Sequence, residues 1–161
     1  MSNQSVIHVP YESNALKQTH PLHLFKLAIA CHLQPKPPHS ARVLELACAS
    51  GGNIIPMAFF YPQSTFIGLD INPQEIALAT AQCEALKVKN CLFFAKSIVD
   101  FEPSEKFDYI ICHGLYSWVE SSVRESILKI CQQYLSENGI AYISYNTYPA
   151  WTIGDALRDL L

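Results

Sequence analysis

No run in this 161-residue chain is long and apolar enough to span a bilayer, and Met1-Ser2-Asn3-Gln4-Ser5 carries neither the basic residues nor the apolar stretch of a secretory leader. Both absences make a cytoplasmic, membrane-free location the expectation. Basic residues are few: 11 Lys and Arg against 14 Asp and Glu leave a net charge of -3 and no basic stripe, which argues against nucleic acid as a partner. There is no C-x-x-C pair. The six cysteines, Cys31, Cys48, Cys83, Cys91, Cys112 and Cys131, lie singly in apolar runs, so they are expected to be small core residues in a reducing compartment. His20 and His23 stand three apart on one helix, but no carboxylate or thiol pattern joins them, and no metal site is expected. Internal repeats and low-complexity tracts are absent too. Half of the residues are hydrophobic, enough for the core of one folded domain over 1-161 and too many for a disordered chain.

Residues 1-41 divide into a polar arm to Gln18, a helix and a linker. Thr19 is placed to cap that helix, Pro21 fits its first turn, and Leu24, Leu27, Ala28, Ile29 and Cys31 form its apolar face. Pro35-Lys36-Pro37-Pro38 cannot continue it. Residues 42-161 then alternate strand and helix. Strands are expected at Arg42 to Leu46, Thr65 to Asp70, Cys91 to Ala95, Phe107 to Cys112 and Ile140 to Tyr145. Between them fall a short helix from Asn53 to Phe60, a helix capped by Asn72-Pro73 and running to Leu86, and a helix from Ser121 to Leu135 that stops at Ser136-Glu137-Asn138-Gly139. Such alternation implies right-handed crossovers and a parallel, doubly wound α/β sheet of five strands. Trp151 to Leu161 has a helical pattern.

The most informative stretch is Val43-Leu44-Glu45-Leu46-Ala47-Cys48-Ala49-Ser50-Gly51-Gly52-Asn53, where a strand stops at small residues and a helix begins. Its spacing fits both a relaxed dinucleotide fingerprint and a relaxed S-adenosylmethionine fingerprint. A pyrophosphate must approach the backbone closely where the Cβ of Ala49 intrudes. S-adenosylmethionine has no phosphate, its methionyl part tolerates alanine, and Glu45 suits its ammonium group, so the methyl donor is favoured. Ligands of open parallel sheets bind beyond the carboxyl ends of the strands. Asp70, at the end of the second strand, can accept both ribose hydroxyls; Ser97 and Ile98 follow the third strand, where adenine would lie. His113 follows the fourth, near the expected methyl group, with Tyr116 and Trp118 as walls for an acceptor.

Four stretches, Gln18-Thr19-His20-Pro21, Val43 to Asn53, His113-Gly114-Leu115-Tyr116-Ser117-Trp118-Val119 and Ile143-Ser144-Tyr145-Asn146-Thr147-Tyr148-Pro149-Ala150-Trp151, together resemble bacterial class I methyltransferases that carry a methyltransferase regulatory domain. Some of that family methylate protein lysines. The resemblance implies a Rossmann-like class I methyltransferase fold with strand order 3-2-1-4-5, and S-adenosylmethionine as the donor. It places Glu45, Ala47, Gly51, Asp70, Ser97, Ile98 and His113 at donor-binding positions, and Cys48, Ala49, Asn53 and Ile71 complete the candidate set. His113 and Tyr116 are the catalytic candidates, as groups that orient an amine or take up its proton, and the acceptor is a protein or a small molecule. Ala47 departs from the family, which usually has Gly there. A complete class I sheet adds two strands beyond the fifth, so the chain is expected to be a piece of a longer protein, or to self-associate through its fifth strand and terminal helix. A truncated, non-catalytic ligand-binding or partner-dependent remnant is the rival expectation.

Overall fold

A computed structural model of the chain describes residues 13-147. The sheet is built from the five expected strands: β1 (Arg42–Leu46), β2 (Thr65–Asp70), β3 (Cys91–Ala95), β4 (Phe107–Cys112) and β5 (Leu135–Ile143). All pair in parallel, in the order β3-β2-β1-β4-β5. This is the Rossmann-like arrangement that the resemblance implied. β4 is buried along its whole length and β1 from Val43 onward, as expected of central strands covered on both faces.

Four helices flank the sheet: α1 (Pro21–Ala30), α2 (Ile54–Phe60), α3 (Pro73–Leu86) and α4 (Ser121–Tyr134). One core layer packs Val43, Phe66, Tyr109 and Ile111 beneath α1, α2 and α3. The other packs Leu44, Leu46, Leu69 and Ile110 against Ile127, Ile130 and Cys131 of α4. α3 is capped as its sequence announces, the Asn72 side chain accepting from the Gln74 amide at 2.9 Å. β3 stands at one edge, and its Leu92 and Phe94 are exposed.

Three expectations need correction. The cap of α1 is His20, whose Nδ1 accepts from the Leu22 amide at 3.2 Å. Thr19 is fully buried and its hydroxyl is engaged elsewhere. The buried stripe of α1 is Pro21, Leu24 and Ala28, while Leu27, Ile29 and Cys31 point outward, so Cys31 is not a core residue. A helix turns about 100° per residue, and the neighbours of Ala28 therefore fall off its face. The other five cysteines are buried thiols. Finally, no turn separates α4 from β5. Leu135 pairs with Phe107 and Ile140 with Tyr109, so residues 136 to 139 bulge opposite the single residue Asp108. The residues that suggested a turn form this bulge. A Cβ on Gly139 would sit 3.0 Å from the Phe107 carbonyl oxygen, which is why the tight path takes glycine. The expected terminal helix, Trp151 to Leu161, lies outside the described residues.

Candidate functional site

The strand order reverses between β1 and β4, and beyond their carboxyl ends lies the natural ligand crevice of such a sheet. β1 delivers Glu45 to it, and the following loop takes a left-handed backbone three times, at Ala47 (φ 58°), Ala49 (φ 46°) and Gly51 (φ 79°). Alanine in this region costs about 1 to 2 kcal/mol per residue, so the loop is held against local strain. The holding groups come from β2. Asp70 Oδ2 accepts the Ala49 amide at 2.9 Å, Asp70 Oδ1 accepts the Asn72 amide at 2.9 Å, and the Leu69 carbonyl accepts the Cys48 amide at 3.0 Å. Asp70 is thus first a brace for the loop. Each of its oxygens keeps a second lone pair for a ligand hydroxyl.

Glu45 is only 4% exposed. Its Oε1 accepts from Asn53 Nδ2 at 2.6 Å, and its Oε2 is buried with no partner. Burial pushes the carboxyl up to about 7, while the Asn53 hydrogen bond pulls in the other direction. Across the crevice, β4 presents His113. Its ring stacks on Tyr142 with centroids 6.1 Å apart, and its Nδ1 is likewise buried without a partner. Burial lowers its basicity and favours the neutral imidazole. A cavity of about 150 Å³ is lined by both residues, with Ala47, Cys48 and Asn53 from the loop and Ser13, Asn14 and Leu16 from the arm. Two residues that line one cavity thus each hold a buried polar atom without a partner, which suits a polar ligand, since such atoms are costly to leave without hydrogen bonds. The methionyl end of S-adenosylmethionine fits this donor set: Glu45 would take its ammonium group.

Of the candidate residues, the cavity gathers Glu45, Ala47, Cys48, Asn53 and His113. Ala49 and Gly51 shape the loop behind it, and Asp70 braces that loop. Ile71 stands past β2 and is 74% exposed. Ser97 accepts the Val99 amide at 3.3 Å and so caps a short turn, while Ile98 packs partly into the layer beneath α4. Neither borders the cavity, nor does Tyr116, which meets Tyr145 edge-on at 6.4 Å. The two aromatic sequence stretches are knitted together: the Gly114 amide donates to Ser144 Oγ and the Asn146 amide to Ser117 Oγ, each at 2.8 Å.

Sequence reasoning missed the arm. Ser13, Asn14 and Leu16 were expected only as part of a polar arm, yet Ser13 Oγ accepts the Gly52 amide at 2.9 Å. A Cβ on Gly52 would run into the Ser13 carbonyl. The signal was present in Gly52 itself, a glycine where another chain segment approaches. Among the described residues, no group of three His, Cys, Asp or Glu is placed to hold a metal ion, and no helix is long and apolar enough to cross a membrane.

Residues 39–158 match a family model described as a methyltransferase domain. Over 154 residues the chain is 46% identical to an uncharacterized protein of Rickettsia prowazekii, covering 95% of this chain and 28% of that protein. A second uncharacterized protein of the same organism is 37% identical over 154 residues, covering 95% of this chain and 62% of the relative. PKMT2 from Rickettsia typhi, solved in complex with AdoHcy, superimposes with a TM-score of 0.88 at 36% identity, over 94% of this chain and 30% of that one. The chain thus spans between 28% and 62% of the length of these relatives.

Proposed function

This chain belongs to the methyltransferase-domain family, and on that premise we propose that it binds S-adenosylmethionine beyond β1 and β4 and passes the methyl group to a nucleophile, with a protein lysine as acceptor. The observation that carries the reading is the pair of unpartnered buried atoms, Glu45 Oε2 and His113 Nδ1, whose residues line one cavity at the reversal of strand order. Lysine as the acceptor is supported by the resemblance carried by residues 113 to 119 and 143 to 151.

When bound, the donor supplies a methyl group on a sulfonium, open to displacement in line with its carbon-sulfur bond. The chain contributes position. Glu45 receives the ammonium, the strained loop shapes the floor, and Asp70 accepts ribose hydroxyls through its free lone pairs. Ile71, Ser97 and Ile98 serve the adenosine end. Orientation of this kind accounts for roughly 7 to 11 kcal/mol of barrier lowering where geometry is well held. A lysine ammonium must lose a proton before its nitrogen can attack, and a neutral His113 would accept that proton or orient the free amine, with Tyr116 as the second candidate for the role.

The test has two readouts. Calorimetric titration with S-adenosylmethionine should show binding that Glu45→Gln weakens, and a labelled methyl group should pass to protein in cell extract. His113→Ala should lower the transfer rate more than donor affinity, the pattern of a contact made in the transition state. Preference for NAD would overturn the reading of the loop. Donor binding without transfer would favour a non-catalytic, partner-dependent unit. The outer edge of β5 has no strand partner among the described residues, and self-association through it is part of the proposal. Light scattering that returns a monomer at every concentration would remove that part.

A further inference from the structure

Asn53 is 4% exposed, and its side-chain amide sits between the arm and Glu45. Its Oδ1 takes two donors: the Leu16 amide at 2.9 Å and the Thr19 hydroxyl at 3.1 Å. The single Thr19 proton is shared with the Leu16 carbonyl, 2.9 Å away. Because the arm claims the oxygen of this amide, its nitrogen must face Glu45, where Nδ2 donates to Oε1 at 2.6 Å. An amide reversed by half a turn would present its oxygen to Glu45 and would be satisfied only by a protonated carboxyl acting as donor. The orientation of one amide therefore decides whether Glu45 is held as an acceptor or as an acid.

We propose that Thr19 and Leu16 are positioning residues of the donor site: by docking on Asn53 they lock its amide with the nitrogen toward Glu45, so that Glu45 is met as an acceptor and keeps its second oxygen free for the donor ammonium. The arm is then a working part of the site: undocking it removes Ser13, Asn14 and Leu16 from the cavity wall and also frees the Asn53 amide to reverse its hydrogen-bonding polarity. The inference rests on the donor reading above only where it names the ammonium; the lock itself concerns this chain alone.

The surroundings leave Asn53 as the controlling neighbour. Cys48 of the loop, Cys91 of β3 and Cys112 of β4 lie within electrostatic reach of Glu45, but burial pushes all three thiols up and keeps them neutral. Asp70 acts on Cys48, and His113 shares the cavity with its basicity lowered. The Asn53 hydrogen bond is what opposes the desolvation of Glu45.

The experiment uses the whole chain without ligand. The Glu45 carboxyl is followed by carbon NMR across pH in wild type, Thr19→Val, Thr19→Ser and Asn53→Ala. Thr19→Val is nearly isosteric and should raise the Glu45 midpoint by about half a pH unit, Asn53→Ala should raise it further, and Thr19→Ser should restore the wild-type value. Titration with S-adenosylhomocysteine should show Thr19→Val binding about 2-fold more weakly at pH 7 and about 3-fold more weakly near pH 6, with the defect shrinking as pH rises. A purely structural defect would not shrink. Unchanged midpoints in both Thr19→Val and Asn53→Ala overturn the lock. If wild type ignores S-adenosylhomocysteine while the midpoints still move, the lock stands and the donor reading falls.

Discussion

The β1–β4 pair buries a carboxylate at each of its ends, and the two are treated differently. At the amino end, Asp108 is 8% exposed and saturated: Oδ2 accepts the Arg42 amide at 2.8 Å and faces Lys36 Nζ at 3.4 Å, and Oδ1 accepts the Ser136 hydroxyl at 3.0 Å. That carboxylate fastens the start of β1, the linker and the β5 bulge to one point. At the carboxyl end, Glu45 is as deeply buried but has one partner and one empty oxygen. A buried carboxylate with all its hydrogen bonds made is structural, whereas one left half-made marks a place where something else completes it. The backbone repeats the contrast: around Asp108 it shows no left-handed residue other than glycine, while the loop after Glu45 holds two such alanines.

Asp108→Ala strips the Arg42 amide and the Ser136 hydroxyl of their acceptor and should destabilise the chain by about 3 kcal/mol, with donor affinity per folded molecule unchanged. Denaturant unfolding and calorimetric binding check the two halves. Glu45→Gln should do the reverse, weakening the donor by about 1.5 to 3 kcal/mol while leaving stability at pH 8 equal or higher. If both variants lose stability alike, the distinction between the two ends fails.

A pH series sharpens it. Burial holds the Glu45 carboxyl at about 7 against an ordinary value of 4.5, so between these values the folded chain keeps a proton that the unfolded chain has released. The associated stability is complete below pH 4.5 and falls as pH rises through 7, by about 3 kcal/mol in all, and Glu45→Gln should flatten that slope. Donor binding should run the other way, tightening over the same window with release of a proton. Calorimetry in buffers of different ionisation enthalpy would detect that proton.

Asp70→Ala comes next, because its carboxylate has two tasks. Loss of the ribose contact alone should weaken the donor by about 1.5 to 3 kcal/mol. Loss of the brace on the Ala49 and Asn72 amides should also lower thermal stability and speed amide exchange at Ala49. Weaker binding without faster exchange would leave only the ligand role. The smallest effect is at Ala47, where the backbone is left-handed with φ 58°. Ala47→Gly relieves that strain but loosens the unfolded chain, for a net gain of about 0.5 kcal/mol, read as a small rise in Tm. A fall would mean that the Ala47 methyl packs usefully against the cavity.

Most of the fold was legible because it is written in local patterns. Apolar runs located β1, which stops at small residues, and β2, apolar almost throughout as a strand covered on both faces should be, and Asn72-Pro73-Gln74-Glu75 is a helix start whatever surrounds it. The junction of α4 and β5 was misread because Ser136 to Gly139 have turn chemistry in isolation. Only pairing with β4 draws them out into a bulge. The apolar face of α1 was drawn too wide for a similar reason: periodicity orders the residues around a helix but does not say how broad a stripe its neighbours cover.

By itself the sequence determined most of the element types, the small-residue loop, and the carboxylates and histidine at the strand ends, since each depends on residues within a few positions of one another. Tertiary structure alone decided what those groups are to each other. Thr19 reaches Asn53 across 34 positions and the Ser13 hydroxyl reaches Gly52 across 39. Hydrogen bonds between segments so far apart follow from how the arm lies on the folded sheet, and they determine which atoms at Glu45 are taken and which one stays free.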